Sequence, residues 1–118
     1  MAEMLKNTTY EQDNLIIEKK RVETVIVATG EGALLRGQVL GMVTSTGEYK
    51  KYKADATTGE EIPRLILLQD ADATSKPVKV QALRTGRVNK TDVKGILATD
   101  YKGFAELADR GIYCDKRA

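Results

Sequence analysis

The stretch GALLRGQVLGMVTSTGEYKKYKAD, residues 32–55, decides the fold class. Glycines at positions 32, 37, 41 and 47 interrupt it, so no apolar run lasts more than a few residues. An interior glycine costs a helix about 1 kcal/mol relative to alanine. In a strand pattern, glycine instead marks a bulge, a bend or a close backbone approach. The stretch therefore predicts short, sharply bent strands, with STG at 45–47 as a hairpin turn before the polar return strand EYKKYKAD.

Strands are predicted on both sides of this hairpin. The β-branched run that ends at Gly30 indicates one strand, and the continuous apolar run RLILL after Pro63 indicates another that is buried on both faces. VKVQA at 78–82 alternates in polarity, as a half-exposed strand does. Residues 24–88 are therefore predicted to be all-β.

The C-terminal part changes to a helical pattern. Asp100 can cap a helix in which Phe104, Leu107 and Ala108 share one face, and Gly111 follows where a helix-ending glycine belongs. We expect a short amphipathic helix that Phe104 holds against the β core.

Composition limits the function classes. The chain has 118 residues, which suits one domain, and a net charge of +2, which is too small to predict a nucleic-acid or membrane partner. It has a single cysteine and no signal peptide or membrane-spanning run, so we expect a soluble intracellular protein at birth.

The sequence contains no catalytic or metal-binding constellation. Histidine is absent, and Cys114 therefore has no histidine to activate it. Asp70 and Asp72 fall well short of the ligand set of a calcium loop. The glycines do not have the spacing of a phosphate-binding loop. We predict no enzyme activity, no cofactor and no metal.

The segment EYKKYK at 48–53 raises one alternative, since lysines and tyrosines together can hold single-stranded nucleic acid. Strand alternation would divide lysines 50, 51 and 53 between two faces, as in an ordinary solvent-facing edge strand. The edge-strand interpretation is therefore favoured.

Several stretches together resemble the head decoration proteins of tailed phages, the family typified by the phage lambda head protein D. The most specific is G-x-L-x-x-G-x-V-L-G at residues 32–41, followed by T-G-x-Y-K-K-Y. LILLQDADA, VKVQALRTGRVN and FAELADRGIY continue the resemblance in the expected order, over about residues 22–113. The first 20 residues carry no matching motif.

The resemblance implies a compact β-clip-like fold and a mechanical role without catalysis. Members bind the outer surface of the expanded head as homotrimers at three-fold positions and cement the capsomers against DNA pressure. The implied partner is the major capsid protein of a tailed phage. The implied location is the virion surface, after assembly in the host cytoplasm.

The resemblance also suggests a division of the chain and two sets of contact residues. We expect a flexible N-terminal arm over residues 1–20 and a single β-rich decoration domain over 21–118. A frayed chain end without a binding role is an equal alternative for about the first 14 residues. The arm would add a strand to an exposed edge of the capsid protein. Its candidate contact side chains are Leu5, Tyr10, Leu15 and Ile17.

Candidates for the trimer interface are Leu34, Leu35 and Val39. These three could equally belong to the core, which burial preference favours. The alternative function is a small β adaptor that binds a cellular protein or a polysaccharide, and binding in many symmetric copies on a shell would distinguish the two. An enzyme ranks third, and a perturbed ionisable group in a pocket would be its sign.

Overall fold

The computed structural model describes residues 15–115. This part is mainly β with one α-helix near its C-terminal end, as expected. No helix among the described residues has the length and apolar character needed to cross a bilayer. In chain order the elements are β1 (Ile16–Val27), β2 (Gly32–Leu34), β3 (Val39–Met42), β4 (Tyr49–Lys51), β5 (Pro63–Leu67), β6 (Ala71–Ala73), β7 (Val78–Asn89), a 3-10 turn (Lys90–Asp92), α1 (Tyr101–Asp109) and β8 (Ile112–Asp115). The finer assignment to a β-clip stays a prediction.

Five of the strands pair in a closed circuit, in the order β1-β4-β3-β5-β7 and back to β1. β8 joins the outer part of β7 in parallel, while β2 and β6 form a separate antiparallel ribbon. A closed circuit leaves few unpaired backbone groups, because each strand in it has a neighbour on both sides. β1 is the exception, since its contact with β4 is limited to the pair Val27 and Tyr49.

The longest feature is the antiparallel ribbon of β1 and β7, each 12 residues long. It runs from the pair Ile16 and Val88 to the pair Val27 and Val78, with register shifts near its outer end. The strand thus begins inside the segment 1–20 that the sequence pattern assigns to the arm. The charged middle of β1 has no apolar pattern that would predict a strand, because its side chains are largely exposed. Backbone pairing with the distant β7 holds this part of the strand in place.

The glycine-rich hairpin has the expected form. β3 and β4 are antiparallel, and Gly47 takes a φ of +77° in the turn between them. Gly41 marks a close backbone approach, since a Cβ there would lie 2.6 Å from the Cα of Glu60. The shortness of the strands is confirmed for β2 to β6, which have 3 to 5 residues, and not for β1 and β7.

The helix α1 is confirmed together with its cap. Asp100 Oδ1 accepts a hydrogen bond of 2.9 Å from the N–H of Gly103, and Gly111 follows the helix with a positive φ. Leu107 is the side chain that fixes the helix to the body, because it is fully buried while Phe104 is only half-buried. Phe104 packs at the border of the same apolar cluster.

Candidate functional site

Leu15 is the first residue that the structure describes. Its side chain is buried in the apolar cluster that includes Val39, Leu107 and Ile112, and its carbonyl oxygen accepts a hydrogen bond of 2.7 Å from the N–H of Asn89. Leu15 therefore anchors the N-terminal segment to the body beside the end of β7. Of the other arm candidates, Ile17 lies half-buried in β1, while Leu5 and Tyr10 lie outside the described residues.

An apolar and aromatic surface lies next to this anchor. Lys90 directly follows Asn89, and its Nζ is 4.5 Å from the ring centroid of Phe104 and 5.9 Å from that of Tyr101. Leu97 and Tyr101 are 75% and 71% exposed. We call Lys90, Leu97, Tyr101 and Phe104 the anchor-side patch.

The anchor-side patch was not singled out from the sequence. Leu97 lies between Ile96 and Ala98 in the loop before α1, and Tyr101 is the first residue of α1, so neither belongs to a periodic pattern. The only feature of the sequence that could have indicated the patch was a large apolar side chain in a loop or at the start of a helix. Single exposed apolar residues are common, and two of them beside the entry of an N-terminal segment are more informative.

The outer edge of β1 is a second candidate surface. Among residues 15–115, no strand pairs with this edge between Ile16 and Ile26. Val22 and Ile26 are partly exposed along β1, at 37% and 40%, and charged side chains surround them. Charges on an open edge discourage uncontrolled strand addition. The edge thus offers backbone hydrogen-bonding groups with protection against aggregation.

The three trimer candidates have different environments. Leu34 and Val39 are buried in the two apolar clusters of the single chain, so the core interpretation holds for them. Leu35 is 53% exposed, in the loop after β2. The adjacent backbone is fixed, because the N–H of Arg36 donates to Asp70 Oδ1 at 2.8 Å. Leu35 alone of the three therefore has a large accessible surface, and its role in a trimer stays a prediction.

A cleft of about 480 Å³ lies beside β4 and is lined by charges of both signs, including Lys50, Lys53 and Glu60. The pKa of Glu60 is lowered, first because the hydroxyl of Thr58 donates to its carboxylate and also because its own backbone N–H does so. A general acid or base that works near neutral pH needs a carboxyl pKa shifted the other way. The direction of this pKa shift therefore does not favour Glu60 as a general acid or base.

The tyrosines of EYKKYK are not on the surface. Tyr49 and Tyr52 are each 7% exposed, and the hydroxyl of Tyr52 donates to Asp100 Oδ2 at the start of α1. Burial and then this hydrogen bond raise the pKa of Tyr52 well above its usual range. Two buried rings cannot stack on bases, so the local arrangement opposes single-stranded nucleic-acid binding at this segment.

The remaining chemical candidates have local structural roles. Burial raises the pKa of Cys114 to about 12, which keeps the thiol protonated and unreactive. Asp72 accepts hydrogen bonds from the N–H and hydroxyl of Thr74, which lower its pKa. Within residues 15–115, no three acidic or cysteine side chains lie close enough together to hold a metal ion.

Comparison with protein families gives a match over most of the chain. The sequence model of a family described as bacteriophage lambda head decoration protein D matches residues 4–112. No curated protein matches the chain. The matched region contains the whole body up to the start of β8, and it also contains the N-terminal segment from residue 4, where our motifs found no resemblance.

Proposed function

Because the chain belongs to the family of bacteriophage lambda head decoration protein D, we propose that it binds an expanded phage head as trimers at three-fold positions and cements the capsomers. Membership itself gives a decorating role on a phage capsid and a structural rather than catalytic protein. The observation that carries the proposal is the match over residues 4–112, which includes the body and most of the segment before it.

The contact with the capsid protein begins at the N-terminal segment. Residues 1–14 in extended form would span up to about 50 Å, at 3.3 to 3.6 Å per residue, enough to reach beyond the footprint of the body. Leu5 and Tyr10 supply side-chain specificity, while added-strand hydrogen bonds supply grip. A force on the N-terminal segment would reach the core through Leu15, because the side chain and the carbonyl of this residue are both held in the body.

The anchor-side patch continues this contact on the body. Tyr101 lies beside Lys90, which follows the Asn89 that bonds to Leu15, and Leu97 is four residues before Tyr101 in the chain. A capsid subunit that holds the N-terminal segment would therefore also cover these two exposed side chains. Covering exposed apolar surface contributes roughly 25 cal/mol per Å² removed from water. The patch thus adds binding energy without any additional ordering of the chain.

Trimer formation would increase the grip of each arm. An arm that orders on binding loses conformational entropy and holds weakly alone. Three arms on one body act at a high effective concentration, and such linkage increases avidity by about 10² to 10⁴. Capsid expansion would create the strand edge, which makes binding specific to the mature shell.

Co-sedimentation with emptied phage shells tests the proposal. The full chain, a chain that starts at Leu15 and the double variant Leu5→Ser/Tyr10→Ser are mixed with expanded and with unexpanded shells. Truncation at Leu15 keeps every described residue, whereas truncation at position 21 would also remove the part of β1 that pairs with β7. We expect saturable binding of the full chain to expanded shells only, and a loss of at least tenfold in affinity for the other two.

Thermal unfolding of the free proteins is the control. The truncated and substituted chains should unfold close to the temperature of the full chain, since the changes leave residues 15–115 intact. If the full chain binds neither kind of shell, the decorating role is wrong. If the truncated chain binds as well as the full one, the arm mechanism is wrong and the decorating role stands.

A further inference from the structure

Three arginines from different parts of the fold line one small pocket of about 160 Å³. Arg64 lies in β5, Arg84 in β7 and Arg110 at the C-terminal end of α1. We call this the arginine pocket. Guanidinium groups of like charge repel one another, so their convergence on one cavity needs a compensating negative charge.

The compensation within the described part of the chain is incomplete. Arg84 forms an ion pair of 3.5 Å with Glu23, and both side chains are more than 40% exposed, so the pair is weak. Arg64 and Arg110 form no ion pair with a carboxylate of residues 15–115. The Nη1 of Arg110 donates only to the backbone carbonyl of Glu106, at 3.2 Å.

Arg64 shows the strongest sign of a missing acceptor. Its Nε is buried and has no hydrogen-bond partner among the described residues. A buried charged donor without an acceptor is costly, and native structures rarely leave one. The pocket is therefore lined by positively charged side chains, and one of these, Arg64, has a donor without a partner among the described residues.

We propose that the arginine pocket binds a single oxyanion group, either inorganic phosphate or a carboxylate presented by another polypeptide. Guanidinium groups match the geometry of both anions and bind them through two parallel N–H donors. A cavity of about 160 Å³ has room for one such group and a few waters, each of which occupies about 30 Å³ in the liquid. The site goes beyond the decorating role and does not depend on it.

NMR titration of the full chain tests the site, with the Nε–Hε resonance of Arg64 as the reporter. Inorganic phosphate is added at pH 7 in exchange for chloride at constant ionic strength, so that general screening stays the same. A second titration uses a blocked glutamate dipeptide. We expect a saturable shift of the Arg64 resonance with at least one of the two probes, and the tighter probe identifies the source of the oxyanion.

Two variants distinguish a built site from general charge attraction. Arg110→Gln removes one wall of the pocket and should weaken binding about tenfold, as loss of one charged hydrogen bond does. Arg21→Gln removes the same charge from the exposed surface of β1 and should leave the affinity unchanged. The absence of a saturable Arg64 shift with both probes would overturn the proposal, as would equal weakening in the two variants.

Discussion

At the scale of single residues, the glycines of the opening stretch have two separate functions. Gly47 supplies a positive φ in the turn between β3 and β4, and the space where its Cβ would lie is open. Gly41 has no positive φ, and it is required because the backbone of Glu60 approaches too closely for a side chain. A sequence shows where glycines occur, but only packing shows which reason applies.

These two reasons predict different costs of an alanine. Gly41→Ala pushes a methyl group to 2.6 Å from the Cα of Glu60 and should lower the free energy of unfolding by about 3 kcal/mol. Gly47→Ala only forces an alanine into a left-handed backbone conformation and should lower the free energy of unfolding by about 1 kcal/mol. Urea unfolding at pH 7 measures both values. A cost for Gly41→Ala no larger than for Gly47→Ala would contradict the close approach.

At the scale of elements, the bond between Tyr52 and Asp100 links the hairpin to the helix. Tyr52 follows β4 directly, and Asp100 caps α1 through one carboxylate oxygen while it accepts from Tyr52 through the other. The cap itself was visible in the sequence, since an aspartate before an amphipathic pattern is a common helix start. Its second partner was not, because 48 residues separate the two in the chain.

This hydrogen bond predicts that the free energy of unfolding falls at alkaline pH. The folded state raises the pKa of Tyr52, so its contribution is fully present below the ordinary tyrosine pKa of about 10 and is lost as pH rises above it. Tyr52→Phe should cost about 1 to 2 kcal/mol at pH 7, because the carboxylate loses a donor. It should also reduce the fall in the free energy of unfolding above pH 10.

The control for this prediction is Tyr113→Phe, which removes a hydroxyl from a ring that is 47% exposed. This variant should keep both the stability at pH 7 and the alkaline fall. Urea unfolding between pH 8 and pH 11 gives all the values. If Tyr52→Phe and Tyr113→Phe have the same pH dependence, the hydrogen bond to Asp100 does not stabilise the neutral phenol.

At the scale of the whole molecule, exposed apolar side chains of the described residues lie in several places, among them the edge of β1, the loop after β2 and the anchor-side patch. Leu35 lies in the loop after β2, where the carbonyl of Arg36 accepts a hydrogen bond from the Nζ of Lys94, and the anchor-side patch lies around Lys90 and the start of α1. Leu34 and Val39 are already used in the core. We propose a division in which Leu35, the one exposed trimer candidate, contacts a second copy and the anchor-side patch contacts the capsid.

A pair of aspartate substitutions tests that division. Leu35→Asp should prevent chemical cross-linking of three copies on expanded shells, because a charge would be buried in the interface without a partner. Leu97→Asp should leave the cross-linked trimer intact and weaken shell binding instead. Both residues are exposed, so neither change should alter thermal unfolding beyond the small effect usual for surface substitutions. Efficient trimer cross-linking of Leu35→Asp would exclude this residue from the interface.

The sequence by itself determined the mainly-β class, the hairpin at 39–51, the buried strand β5 and the capped helix α1. These features depend on local rules: turn residues, polarity period and capping act within about ten residues. The family could also be recognised, because glycine spacing and strand lengths are read directly along the chain.

Only the tertiary structure decided the long partner of β7, the burial of Leu34 and Val39 beside exposed Leu35, and the arginine pocket. Backbone pairing with β7 extends β1 to Ile16 through charged residues that show no apolar pattern. The arginines come from β5, β7 and the end of α1. Each of these features depends on contacts between residues far apart in sequence, and local propensity contains no information about which distant segments will meet.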